Sequence, residues 1–224
     1  MSTYPLTPLL PMGAASPSEV LHEAVWEWVD RKGLEWCVVS ERAEGVRVEG
    51  RVVAVLRAEA MKLRYELELD AEWRFLQARL SCESGMTTTD LEIERTTNGW
   101  SVDGQPRPDL EGCVDIDIMA SPLTNTLPVR RLPWEPGRTH DILTAYIRVP
   151  ELSIERVGQR YSLLGSDAAG CQRFEYLLPA QPSSLSGATR QFEYHSAASG
   201  FRATLQVDAS GLVCHYPPYW RRLR

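Results

Sequence analysis

Lysine is almost missing from this 224-residue chain: Lys32 and Lys62 are the only two. The rest of its 24 basic residues are arginine, and 30 acidic residues leave a formal net charge of -6. Apart from Arg130-Arg131 and the terminal Arg221, Arg222 and Arg224, the basic side chains are scattered. Binding to a phosphate backbone needs clustered positive charge, so nucleic acid is excluded as a partner. Paired cysteines are missing too. Cys37, Cys82, Cys113, Cys171 and Cys214 contain no CxxC, which removes a zinc ribbon and a dithiol redox motif. An odd, dispersed set fits reduced and mostly buried thiols. No apolar run approaches the roughly 20 residues of a membrane helix. No Lys or Arg precedes Arg31, so the basic start of a secretory leader is missing, and a soluble, cytoplasmic protein is expected. G-x-S-x-G, P-loop and G-x-G-x-x-G patterns are also absent, which takes usual support from three large enzyme classes.

What the chain does have is alternation. Tyr65, Leu67 and Leu69 share one strand face, with Glu66, Glu68 and Asp70 on the other. Phe201, Ala203, Leu205 and Val207 alternate the same way with polar neighbours. Such patterning means one buried and one wetter face. Glu44-Gly45, Glu49-Gly50, Asn98-Gly99 and Asp103-Gly104 read as turns, and Asp30-Arg31-Lys32-Gly33 as a hairpin connection. No long stretch keeps a helical period, so the fold class is all-β. One short helix is expected from Pro17, started by the capping box Ser16-Pro17-Ser18-Glu19 and giving way to a strand by Val25. Residues 1–15, with three prolines, read as a flexible arm, and Pro179 to Ala188 as a mobile loop. RYELELDAEW from Arg64 and RATLQVDASG from Arg202 match loosely in register. The expected organisation is therefore a single domain over 16–224, made of two similar halves, about 25–132 and 138–224, that meet at the proline-rich stretch 133–137.

The chemistry concentrates in residues 112–132, GCVDIDIMASPLTNTLPVRRL. Asp115 and Asp117 fall on one face of a strand, roughly 6.5 Å apart at Cα. Like charges at that spacing raise each other's pKa unless cations stand near, and Arg130 and Arg131 are the nearest candidates. Ser121-Pro122 should end that strand, and Leu127-Pro128 should open another running to Leu132. Thr124, Asn125 and Thr126 can bond their own backbone. Three readings follow: a braced corner of the fold, a polar cavity mouth that holds a head group, or a catalytic carboxylate pair. The seven tryptophans are core residues or, at Trp73 and Trp100, an aromatic wall for a ring or acyl chain. The four histidines have no metal-ligand spacing, and no metal or cofactor is expected.

The same run, Gly112-Cys113-Val114-Asp115-Ile116-Asp117 with Ser121 to Leu132, resembles the signature of the bacterial putative glycolipid-binding family. Trp26 with Gly33-Leu34-Glu35, Asp70 to Arg74, and Trp100 with Asp103-Gly104 are similar to it as well. So are Gln159-Arg160-Tyr161, Asp208 with Gly211-Leu212-Val213, and Tyr216-Pro217. The similarity runs from Val25 to Arg224. The resemblance implies a spiral β-roll, a half-open barrel-like body of two β repeats, and a glycolipid-binding role without catalytic residues. The expected ligand is an amphipathic small molecule, a glycolipid or a lipid. Asp115, Asp117, Thr124, Asn125, Thr126, Arg130 and Arg131 would meet its polar part, and Trp73 and Trp100 its apolar part. The alternatives are an enzyme on a sugar- or lipid-linked substrate using Asp115 or Asp117, and a scaffold using the N-terminal arm or Tyr216 to Arg222.

Overall fold

A computed structural model describes residues 19–167 and 188–224. The expected N-terminal arm, the Ser16-Pro17-Ser18 cap, Cys171 and residues 179–187 lie outside these described residues. The described chain is one curved sheet of fifteen strands with a single short α-helix. The first half is a meander: β1 (Glu19–Trp28), β2 (Gly33–Arg42), β3 (Gly45–Leu56), β4 (Glu59–Leu69), β5 (Phe75–Ser84), β6 (Thr87–Thr96), β7 (Gly99–Val102) and β8 (Gln105–Pro106). The second comprises β9 (Asp115–Ile118), α1 (Thr126–Arg131), β10 (Thr139–Ile147), β11 (Ile154–Asp167), β12 (Thr189–Ser196), β13 (Arg202–Val207), β14 (Val213–Tyr216) and β15 (Trp220–Arg222). The halves join where β1 pairs antiparallel with β15, and β8 and β9 are the two outer edges, so the sheet does not close.

Alternation decides which residues face inward. On β3, Val46, Val48, Val52, Ala54 and Leu56 are buried, while Arg47, Glu49 and Arg51 point out. Outside, Arg47 bridges to Glu66 and Glu68 of the neighbouring strand. The inner side is filled by β9 and the segment that follows it. Ile116, Ile118, Leu123 and Leu127 join the same buried cluster as Trp26, Val48, Leu67 and Phe75. Residues 121–129 are buried without exception. The central run is therefore an inner plug against which the sheet curls.

Three local expectations are corrected. The expected helix from Pro17 is not found over residues 19–24, which belong to β1 and pair with Glu41 to Cys37 of β2. A short helix is marginal alone, and a full antiparallel ladder outweighs it. Leu127 to Leu132 is not a strand, because Thr126–Arg131 is α1. Ser121 accepts a bond from Leu123 N at 3.2 Å and starts a 3-10 turn over Pro122–Asn125, which runs on into α1. Pro122 and Pro128 stand early in these turns, where a missing N–H costs little, whereas Pro128 in a sheet would forfeit a ladder bond. Glu49-Gly50 is not a turn but mid-β3. Gly50 is needed there because a Cβ would lie 2.0 Å from the Tyr65 ring of β4. Gly50→Ala should destabilise the fold by about 1–3 kcal/mol through overpacking. Urea unfolding checks this, and an unchanged midpoint would contradict it.

The two segments compared in the sequence end in the same turn. Asp70 Oδ1 accepts from Glu72 N and Arg74 N at 3.0 and 2.8 Å, and Asp208 Oδ1 accepts from Ser210 N and Leu212 N at 2.8 and 3.0 Å. Trp73 (φ 64°) and Gly211 (φ 82°) occupy the same left-handed position. Arg130 lies between these turns, its guanidinium 4.3 Å from the Trp73 ring centre and donating to Ser210 O at 2.7 Å.

Candidate functional site

β9 runs parallel to β10 at the sheet edge, with Asp115 beside Thr144 and Asp117 beside Tyr146. The two carboxylates meet different fates. Asp115 is 0% exposed, and Arg131 clamps it with Nε to Oδ1 at 3.2 Å and Nη2 to Oδ2 at 2.5 Å. Burial pushes its pKa up, and the Arg131 guanidinium pulls it back. Asp117 has no arginine partner among the described residues. Its Oδ1 accepts from Thr124 Oγ1 at 2.9 Å and its Oδ2 from Gln159 Nε2 at 2.5 Å. Burial raises its pKa, and those two neutral donors offset only part of the rise.

Asp117 also faces space. A cavity of about 330 Å³ opens at the end of the roll where β1, β10, β12 and β14 finish. Asp117, Ser121 and Asn125 supply its polar floor. Trp28 and Trp220, stacked at 4.8 Å, form one wall. Tyr194, Phe201, Tyr216 and Tyr219 form another, with ring centres 5.3–6.2 Å apart along the series. Tyr146 completes the lining beneath the Arg148 guanidinium. Burial raises the pKa of Tyr146, to about 12, and those of Tyr194 and Tyr216, and the Asp117 charge adds to each rise. A volume near the lower end of ligand pockets, with aromatic walls and convergent polar groups, suits a small-molecule site.

The residues singled out in the sequence are dispersed around this cavity. Asp117 and Asn125 line it; Asn125 Oδ1 accepts from Tyr161 OH at 2.9 Å, and its Nδ2 donates to Pro122 O. Thr124 stands behind Asp117 and also receives Ile118 N. Thr126 is buried, and its hydroxyl has no hydrogen-bond partner among the described residues. Arg131 serves Asp115, and Arg130 packs on Trp73. Trp73 and Trp100 are each 6% exposed and lie away from the cavity. Trp100 stacks on Phe75 at 5.3 Å and donates to Cys113 O. The aromatic wall comes instead from Trp28 and the C-terminal strands, with Tyr216 and Trp220 built into the sheet.

A second polar group lies deeper. Glu35 of β2 is 0% exposed and accepts from Ser121 Oγ at 2.6 Å and from Tyr65 OH. Burial pushes its pKa up to about 8, so the carboxyl is largely protonated at neutral pH. Its Oε2 has no partner among the described residues. Glu35 was legible in the sequence: it falls in step with Cys37 and Val39 on the inward face of its strand. Among the described residues no cluster of three or more His, Cys, Asp or Glu could hold a metal ion.

The model of the family described as "Putative glycolipid-binding" matches residues 23–186. The chain belongs to this family. The match takes in the floor residues Asp117, Ser121 and Asn125 and the wall residues Trp28 and Tyr146. It stops before Tyr194, Phe201, Tyr216, Tyr219 and Trp220. Over the whole length, the crystal structure of a DUF1089 family protein from Pseudomonas aeruginosa is similar at 28% identity and a TM-score of 0.67. It covers 99% of this chain and 100% of that one. A beta-barrel-like protein of the domain of unknown function DUF1849 from Brucella abortus shares the fold at 9% identity and a TM-score of 0.51, over 89% of this chain and 93% of that one. No curated protein matches the chain. Among the described residues no helix is long and apolar enough to cross a membrane.

Proposed function

We propose that the protein binds one amphipathic small molecule, a glycolipid or a related lipid, in the cavity above Asp117 and releases it unchanged. The observation that carries this reading is an aromatic-walled space ending on a carboxylate that no cation among the described residues neutralises. Aromatic faces suit a sugar ring or an alkyl chain, and a carboxylate accepts hydroxyl or ammonium protons. The family's description points the same way. The N-terminal arm is left as the support for a scaffold role, since Tyr216 and Trp220 are used in the wall.

Trp28 and Trp220 line the cavity, so their fluorescence reports occupancy. Titration with single-chain alkyl amphiphiles, kept below their micelle thresholds, should give saturable one-to-one binding for at least one head group. Tyr219→Ala should weaken it about tenfold, which corresponds to about 1.4 kcal/mol. No saturable change with any head group would refute the reading. One observation favours catalysis as the second reading. A half-buried carboxylate with a raised pKa at the floor of an open cavity has the features of a general acid or base. Incubation with a sugar-linked lipid decides between them by mass spectrometry: ligand recovered unaltered supports the binder, and turnover lost in Asp117→Asn supports the enzyme.

A further inference from the structure

We infer that the head group this cavity selects is an organic cation, a quaternary or primary ammonium held between tyrosine faces with its charge against Asp117. The inference rests on the ligand-binding reading above and narrows its ligand class.

Three observations carry it. The first is the charge balance of the lining. Asp30 and Arg31 pair with each other at 3.3 Å, and Arg148 pairs with Glu155. These four charges stand at the rim and cancel. Among the described residues the only other charged lining group is Asp117, whose hydrogen-bond partners are the neutral Thr124 and Gln159. The cavity therefore carries one unbalanced negative charge at its floor.

The second is the material of the walls. Aromatic faces carry negative potential and attract cations, more strongly when the cation is desolvated. Tyr194, Phe201, Tyr216 and Tyr219 form a contiguous aromatic surface, and Tyr146 lies beside Asp117 across the β9–β10 ladder. Tyr146 already holds a cation at the rim, with the Arg148 guanidinium 5.3 Å from its ring centre. Rings plus a carboxylate form a cage for a weakly hydrated cation, whereas an anionic head group would meet repulsion from both.

The third is what ionised Asp117 lacks. Burial makes its charge costly, and two neutral hydrogen bonds repay part of that cost. A cation in the cavity would repay the rest. A neutral sugar would leave the charge uncompensated.

Calorimetric titration with octyltrimethylammonium, octyl glucoside and octyl sulfate, each below its micelle threshold, tests this on the full-length protein. The chain is common to all three, so differences report the head group. Octyltrimethylammonium should bind about tenfold or more tightly than octyl glucoside, and octyl sulfate should be weakest. Asp117→Asn should cut ammonium affinity about tenfold and glucoside affinity by a clearly smaller factor, because the amide oxygen can still accept from a hydroxyl. The asparagine can keep both local bonds, its oxygen accepting from Gln159 and its amide donating to Thr124 Oγ1. Octyl glucoside binding as tightly as the ammonium, in the unmodified protein, would overturn the cation inference and leave the binder reading standing. Failure of all three to bind would overturn both. Equal loss of ammonium and glucoside affinity in Asp117→Asn would also overturn the inference, because the Asp117 charge would then not discriminate between the two head groups.

Discussion

Arg131→Met should lower the stability of this protein by about 3–5 kcal/mol, the cost of leaving a buried carboxylate without its cation. Asp115 is wholly buried, and the Arg131 side chain is 13% exposed. The pair joins the edge strand β9 to the last turn of α1, across the plug that fills the roll. Removing the guanidinium leaves Asp115 either charged without compensation or protonated, and both are unfavourable. The double variant Asp115→Leu with Arg131→Met should recover most of the loss, since an apolar pair of similar volume avoids desolvating two charges. Arg57→Ala, which breaks the exposed bridge from Arg57 to Glu151, should change stability by less than about 1 kcal/mol. Chemical denaturation of the four proteins measures this. An Arg131→Met protein as stable as Arg57→Ala would show that the clamp contributes nothing.

The second large effect is on pH dependence. Glu35 in the folded protein holds its proton up to about pH 8, against an ordinary value of 4.5. Between those limits the folded state keeps a proton that the unfolded state has released. Stability from this group is therefore fully present below about pH 4.5, falls as pH rises, and is gone above about pH 8. The slope is about 1.4 kcal/mol per pH unit, so the window is worth a few kcal/mol. Asp115 and Asp117, also raised by burial, act in the same direction, so the contribution of Glu35 is read by difference. Glu35→Gln keeps an oxygen for Ser121 and Tyr65 and cannot ionise. Its stability should match the unmodified protein near pH 4 and exceed it by a few kcal/mol near pH 8. Parallel stability curves across that range would contradict a protonated Glu35. Ser121 touches both Glu35 and the cavity, so the same pair of proteins shows whether the buried carboxyl influences ligand affinity.

The β architecture was legible because its signal is local. Side chains on a strand alternate with a period of two whatever the partner strand is. Tyr65, Leu67 and Leu69 could thus be placed on an inner face before their neighbours were known, and all three are buried. Turns at Asn98-Gly99 and Asp103-Gly104 were readable for the same reason. Where a local signal misled, a non-local contact had overruled it. Gly50 looked like a turn residue, and its real purpose is to admit the ring of Tyr65 from the next strand. Leu127 to Leu132 looked extended because Leu127-Pro128 reads locally as the start of a strand. The helical turns of the plug follow from a cap at Ser121 and from burial on all sides.

The amino-acid order alone was enough for the fold class, for the inward faces of the strands around Leu67 and Leu205, and for the concentration of polar groups between Asp115 and Arg131. Which of those groups became structure and which face a cavity depended on how distant strands came together. Asp115 and Asp117 are two residues apart with the same chemistry, yet α1 brings Arg131 to one and β11 brings Gln159 to the other. Trp28 and Trp220 stand at opposite ends of the chain and stack because β1 pairs with β15. A cavity is the space left between such elements. Its walls are set by side-chain sizes summed across the roll, a quantity that no window of neighbouring residues contains.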